Sequence, residues 1–251
     1  MSEVSVKDAV VFVTGANRGI GRAIAEEAVA RGAKRVYAAA RNVSGVQDLV
    51  DQHPDTVVAV ELDVTNSEQI ANAAAAAPDV QILINNAGVA RFAGAIFNND
   101  EDGAHLEMET NYFGPMRVSG AFAPAILKNG NGAIATVVSV SGFASFPMAA
   151  TYSASKAAAH SLTQAMRAEM APQGVGVFGV YPGPIDTDMA AGLEFDKESP
   201  GNVAIRIFDQ MEAGVEDITT DAFADNFVQA LKSDAKAVEK QNAEMAHQPA
   251  S

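Results

Sequence analysis

The chain has 251 residues, 48% of them hydrophobic, enough to bury one large core. α/β chains of this length commonly form a single unit, so one domain over residues 1–251 is expected. The 31 acidic against 17 basic residues leave a formal charge of -14, which repels phosphate backbones and anionic lipid and argues against nucleic-acid or membrane partners. The chain has no cysteine, which removes disulfide scaffolds, thiolate metal sites and thiol nucleophiles, so redox chemistry would have to use a cofactor.

The charged start, Met1 to Lys7, leads into the apolar run Val10 to Val13, too short for the core of a signal peptide. No apolar segment approaches a bilayer-spanning length, and a cytoplasmic location is expected. His53, His105, His160 and His247 lack metal-ligand spacing, and no metal site is expected. Runs rich in Val and Ile at 10–13, 35–40, 56–62, 80–84, 133–139 and 174–181 are too continuous for strands with one wet face and read as buried parallel strands. Helical stretches alternate with them. The expected architecture is therefore an α/β doubly wound parallel sheet with helices on both faces and a ligand crevice at the carboxyl ends of the strands.

After the first strand, Thr14-Gly15-Ala16-Asn17-Arg18-Gly19-Ile20-Gly21 opens a helix carrying Ile20, Ile24 and Ala28 at helical spacing and ending at Gly32. Glycines there let backbone approach a pyrophosphate, and the helix start offers free N–H groups and positive potential. No Gly-Lys-Ser/Thr follows, which disfavours a P-loop. The second strand ends Ala38-Ala39-Ala40-Arg41-Asn42, without the acidic residue that binds a ribose 2′-hydroxyl in NAD-binding folds. Arg41 instead presents a planar donor fork suited to a 2′-phosphate, and Arg18 brings a second positive charge; the bland alternative is two solvated surface charges.

The third strand leads into Asp63-Val64 and a helix starting at the capping box Thr65–Glu68. Ala73 to Ala77 reads as helix packed closely on the sheet. The fourth strand is followed by Asn85-Asn86-Ala87-Gly88, and the helical stretch His105–Ala125 carries Asn111 with Pro115 four residues on. Proline has no N–H, so the Asn111 carbonyl loses its helical donor and is free for another partner such as water. The fifth strand ends at Ser139, with Ser141 as the neighbouring hydroxyl. Tyr152 and Lys156 are four apart at the start of a helix continued by Ala157 to Met170, so both side chains leave one face. A tyrosine with pKa of about 10 is a poor base, but a neighbouring ammonium stabilises its phenolate and lowers that value.

After the sixth strand comes Pro182-Gly183-Pro184-Ile185-Asp186-Thr187-Asp188-Met189. The stretch 190–215 reads as a segment covering the substrate, and 232–251 as a polar helix or frayed tail in solvent. Phe92, Phe143, Phe146 and Leu193, with Arg91, Met148 and Phe195, are candidate pocket walls; being mostly apolar, they favour a nonpolar ketone or aldehyde over a sugar or phosphate.

The spacing Gly-x-x-x-Gly-x-Gly, followed in order by Asp63-Val64, Asn85-Asn86-Ala87-Gly88, Tyr152-Ser153-Ala154-Ser155-Lys156 and Pro182-Gly183, resembles the short-chain dehydrogenase/reductase family over residues 8 to 190. The resemblance implies a Rossmann-like fold and hydride exchange between NADP(H) and a carbonyl or alcohol. It implies catalytic roles for Asn111, Ser139, Tyr152 and Lys156, with Tyr152 as the acid–base. Gly15, Asn17, Arg18, Gly19, Ile20, Gly21, Arg41, Asp63, Val64, Asn86, Ala87, Gly88, Tyr152, Lys156, Pro182, Gly183, Ile185 and Thr187 would hold the dinucleotide. Ser141, Phe143, Phe146, Phe92 and Leu193 would meet the substrate. Basic residues at 18 and 41 favour NADP(H) in this family. A cofactor-sensing binding protein on the same fold and an NAD-linked alcohol dehydrogenase are the alternatives. The family's seventh strand is not evident after the last helix, which makes a homodimer the expected assembly and a homotetramer the alternative.

Overall fold

The structure, a computed structural model, describes residues 4–130, 132–191 and 196–245. Its described strands form one parallel sheet in the order β3-β2-β1-β4-β5-β6-β7: β1 Val10–Thr14, β2 Arg35–Ala40, β3 Val57–Glu61, β4 Ile82–Asn85, β5 Ala133–Val137, β6 Gly176–Tyr181 and β7 Asp217–Thr219. Apart from β3 and β7, nearly every strand position is buried, as expected of parallel strands covered on both sides.

Alternation along each strand divides the core between two faces. Val11 and Val13 of β1 face helices α1 (Gly19–Ala30), α2 (Gln47–Gln52) and α7 (Pro200–Glu212). Val10 and Phe12 face α3 (Ser67–Ala76), α5 (Gly114–Asn129) and α6 (Ala150–Met170). The chain winds outward through β2 and β3, then returns to place β4 on the other side of β1. That reversal opens a crevice beyond the carboxyl ends of β1 and β4.

Three expectations are corrected. A seventh strand is present: β7 pairs in parallel with β6, Gly179 facing Asp217 and Tyr181 facing Thr219. It escapes a hydrophobicity reading because it is a three-residue edge strand in which only Ile218 is buried. The stretch 200–212 is not a cover but α7, with Val203, Ile207, Phe208 and Met211 fully buried in the core. The helix after β3 is capped by Asn66, which accepts the Glu68 and Gln69 N–H groups, rather than by a Thr65–Glu68 box. The last helix, α8 (Ala222–Met245), continues past a kink at Asp234, so the polar stretch is helical through residue 245 and mostly exposed, with Val238 and Asn242 buried; residues 246–251 lie outside those described.

Among the described residues no helix is long and apolar enough to cross a membrane, and no group of three His, Asp or Glu side chains is placed to hold a metal.

Candidate active site

The crevice at the switch point opens into a cleft of about 1800 Å³ running from the turn after β1 to the start of α6. Its floor at β1 is set by Thr14, Gly15 and Asn86. The Thr14 hydroxyl accepts the N–H groups of Asn86 (2.9 Å) and Ala87 (3.0 Å), while Asn86 Nδ2 donates to the carbonyls of Thr14 (2.9 Å) and Gly15 (3.2 Å). Gly15 has φ +65°, and a side chain at Gly21 would collide with the Gly15 carbonyl and the Asn86 amide. The turn is thereby pressed against the end of β4. Arg18 precedes α1 without a side-chain cap, so the first N–H groups of that helix face the cleft with no capping acceptor from position 18.

Asn17, Arg18, Gly19, Ile20, Arg41, Asp63, Val64, Ala87, Gly88, Pro182, Gly183, Ile185 and Thr187 all line the same cleft as Gly15, Gly21 and Asn86. The two arginines differ. Arg18 is ion-paired to Asp188 across the cleft at 2.7 Å, with both side chains largely exposed, whereas exposed Arg41 has no ion-pair partner among the described residues. Thr187 closes on the turn, since a Cβ at Gly19 would lie 3.0 Å from its methyl carbon. Gly183 is held by its N–H donating to buried Asp221 at 2.8 Å; the same carboxylate accepts the Ala224 N–H at 2.8 Å and so starts α8. The sequence reading missed Asp221, although an Asp just before a helical run is a capping signal.

At the other end of the cleft stand Ser139, Ser141, Tyr152 and Lys156. Ser139 follows β5, and its hydroxyl lies 3.2 Å from that of Ser141. Tyr152 and Lys156 leave one face of α6, as their spacing requires; the ammonium donates to the Val137 carbonyl at 2.9 Å and lies 5.6 Å from the centre of the Tyr152 ring. Burial lowers Lys156 to about 8. Burial also pushes the Tyr152 phenol up to about 12, against a lowering contact with the Ser139 hydroxyl and with a smaller rise from the charge of Glu107. The expected lowering of the phenol by its lysine is therefore reversed. Desolvation of the buried phenol sets the direction, and the ammonium, bonded to the Val137 carbonyl, does not offset it.

Asn111 is buried one layer behind the cleft wall. The helix carrying it is α4 (Glu101–Met108), a single π turn over Glu109–Phe113, and then α5. In the π turn the Gly114 N–H reaches back to the Glu109 carbonyl, so the kink expected at Pro115 takes the form of a widened turn. The Asn111 amide donates to Val89 O (2.8 Å) and Ser155 Oγ (2.9 Å) and accepts the Val89 N–H (2.9 Å). Gly88 is the point of approach: a Cβ there would stand 3.2 Å from Asn111 Oδ1 and 3.5 Å from Lys156 Nζ.

Phe92, Phe146 and Met148 line the apolar mouth, with Ile96, Phe97 and Leu106, which the sequence reading overlooked. An Ile-Phe pair in a loop otherwise rich in Gly, Asn and Asp was the available signal. Phe92 holds a left-handed backbone (φ +53°) with its ring 6.2 Å from that of Tyr152. Phe143 is a correction. It turns away from the cleft and stacks on Tyr181 at 4.2 Å, because the turn Val140–Gly142 points it at the buried cluster behind the site. Arg91 is likewise absent from the cleft lining and pairs with Asp100. Leu193 and Phe195 lie outside the described residues.

Known proteins resemble this chain in sequence and fold. Residues 9–198 match the sequence model of the short chain dehydrogenase family. The chain is 38% identical over 200 residues to the 3-oxoacyl-(acyl-carrier-protein) reductase FabG of Vibrio cholerae, covering 78% of this chain and 81% of that one. It is 34% identical over 201 residues to dehydrogenase/reductase SDR family member 7B of Xenopus tropicalis, spanning 74% of this chain but 63% of that relative's length. A crystal structure of a short-chain dehydrogenase from Burkholderia cenocepacia in complex with NADP is 38% identical, with a TM-score of 0.91 over 98% of this chain and 100% of the other. The matched stretch contains the glycine turn, the widened helix and the Tyr152–Lys156 helix, and the chain belongs to the short-chain dehydrogenase family.

Proposed function

We propose that this oxidoreductase is an NADPH-dependent reductase of nonpolar ketones or aldehydes, acting reversibly, with Tyr152 as proton donor and acceptor. The observation that carries the reading is that Ser139, Tyr152 and Lys156 line one continuous cleft with the glycine turn and Arg41. The residues present fit such a dinucleotide. The uncapped start of α1 and the close-packed glycine turn suit a pyrophosphate, and Arg41, without an ion-pair partner among the described residues and standing where a carboxylate would repel phosphate, suits a 2′-phosphate. NADP in the Burkholderia relative supports the same choice.

Bound NADPH would supply the hydride. The Ser139 hydroxyl would donate to the substrate oxygen and orient it, and Tyr152, kept neutral by burial, would give that oxygen its proton. The Lys156 ammonium would bind ribose hydroxyls and favour the phenolate left behind. The Asn111 carbonyl, without an i+4 donor because of Pro115, would hold a water through which Tyr152 is reprotonated. The apolar mouth at Phe92, Phe97 and Met148 supports a carbonyl bearing an apolar group.

A panel of aliphatic and aromatic ketones and aldehydes, assayed with NADPH and with Tyr152→Phe as the blank, tests the reading. Turnover that Tyr152→Phe lowers about 10³-fold, with NADPH affinity retained, is the expected result. NADPH binding without turnover on any carbonyl would instead favour a sensing role. A homodimer is proposed through α5 and α6, supported by exposed Met116 and Leu127 three turns apart on α5; a monomer mass in sedimentation would remove that proposal.

A further inference from the structure

Helix α8 breaks at Asp234 (φ -155°, ψ 91°), whose carboxylate accepts the Ala237 N–H and caps a second helical segment, 235–245. On that segment two residues one turn apart are buried, Val238 at 4% and Asn242 at 3% exposure, while the other residues described from 235 to 244 are exposed. Val238 joins Val138, Val140 and Tyr181 in the cluster behind the site. Asn242 Nδ2 donates to the Ser145 carbonyl at 3.1 Å, and Asn242 lines the same cleft as Tyr152.

The placement of this amide matters because of what it holds. Ser145 lies in the segment 139–148, which brings Ser139, Ser141, Phe146 and Met148 to the cleft and consists of short turns rather than a strand or a long helix. The first half of that segment is paired internally, Gly142 N–H to Ser139 O and Phe143 N–H to Val140 O, whereas the stretch from Ala144 to Phe146 is held by contacts from outside it, among them the Phe146 N–H donating to Ser153 Oγ at 3.2 Å. Phe227 of α8 stacks on Phe146 at 5.5 Å, and Asn242 ties down the carbonyl one residue earlier. A buried amide on a mostly exposed helical segment is costly unless it is hydrogen-bonded, and Asn242 makes its bond to Ser145.

We propose that Asn242 is a positioning residue for the substrate: by holding the Ser145 carbonyl, the 235–245 segment fixes the far wall of the carbonyl pocket and limits which substrates fit. The inference rests on the reductase reading above. It makes substrate acceptance a property of the chain's own C-terminal helix, separate from cofactor binding at the other end of the cleft.

The test compares the full chain with Asn242→Asp, which is isosteric but lacks the donor, and with Asn242→Gln, which keeps one. Steady-state kinetics are measured with a small aldehyde and a bulky aryl ketone, together with amide hydrogen exchange across 140–146. Asn242→Asp is expected to raise KM for the aryl ketone about tenfold, the loss of one buried hydrogen bond. KM for NADPH and kcat on the small aldehyde stay within twofold, exchange at 140–146 quickens, and Asn242→Gln restores part of the aryl-ketone KM. Unchanged aryl-ketone KM overturns the inference, and so does an equal loss on every substrate and on NADPH, which would mark a merely structural residue. Wild-type protein inactive on all carbonyls removes the reductase reading itself; wild-type turnover with unaltered Asn242→Asp kinetics removes only this inference.

Discussion

The Lys156 ammonium donates to the Val137 carbonyl at 2.9 Å and lies 5.6 Å from the centre of the Tyr152 ring. Val137 is the last residue of β5, two before Ser139, so this one bond locks helix α6 to the strand that delivers the serine. Phenol, ammonium and hydroxyl are thus parts of one rigid unit, and disturbing Lys156 disturbs all three.

The charge on Lys156 sets the expected pH dependence of reduction. The Tyr152 phenol keeps its proton to about 12, so across the usual assay range the donor does not titrate. Lys156, lowered by burial to about 8, loses its charge first. kcat/KM for the carbonyl should fall as pH rises through about 8, and Lys156→Arg, whose charge persists, should remove the break. A wild-type profile flat from pH 7 to 10 would contradict this assignment.

The same lysine couples stability to pH. Its value is 10.5 when unburied and about 8 in the fold, so between these limits the unfolded chain binds more protons and stability rises with pH. The desolvation cost is fully present below about pH 8 and disappears by about 10.5. Urea unfolding should therefore show wild type gaining on Lys156→Met by on the order of 3 kcal/mol over that window. A constant difference would mean the ammonium is not desolvated. Tyr152 acts in the opposite sense, its raised value removing stability above pH 10, but that contribution is common to both proteins.

Arg41 and Arg18 should respond differently to mutation. Arg41→Ala is expected to weaken NADPH binding about 10- to 100-fold, as loss of a charge-assisted contact does, while leaving NADH nearly unchanged. Arg18 is already engaged by Asp188, so Asp188→Asn should release it and tighten NADPH binding a few-fold, the modest scale of an exposed ion pair. Titration calorimetry with both cofactors measures each effect, and equal losses for NADH and NADPH in Arg41→Ala would end the 2′-phosphate argument.

Gly88→Ala should separate catalysis from folding. The new methyl would crowd Asn111 Oδ1 at 3.2 Å, which hydrogen bonds to Val89 hold in place, and meet Lys156 Nζ at an ordinary contact distance of 3.5 Å, so the fold should lose about 1 kcal/mol. Shifting Asn111, whose backbone carbonyl would hold the reprotonating water, should cost about tenfold in kcat. Matching thermal melts with intact kcat would show that the site tolerates the shift of Asn111.

The sequence by itself determined the sheet, the glycine turn and the Tyr152–Lys156 pair. Each rests on short-range pattern: continuous Val/Ile runs mark buried parallel strands, glycine spacing marks a turn, and four-residue spacing puts two side chains on one helical face. What the tertiary structure decided lies wherever a residue's surroundings come from distant chain. β7 is legible only beside β6, because a three-residue edge strand has too little apolar pattern of its own. Phe143 and Phe146 read alike in sequence, yet Phe143 turns to Tyr181 and Phe146 to the cleft. Asn242 belongs to a charged, helix-prone tail in sequence and becomes part of the cleft through Ser145, 97 residues earlier in the chain. The direction in which Tyr152 titrates was decided the same way, since spacing can place an ammonium beside a phenol but only packing fixes how far both are removed from water.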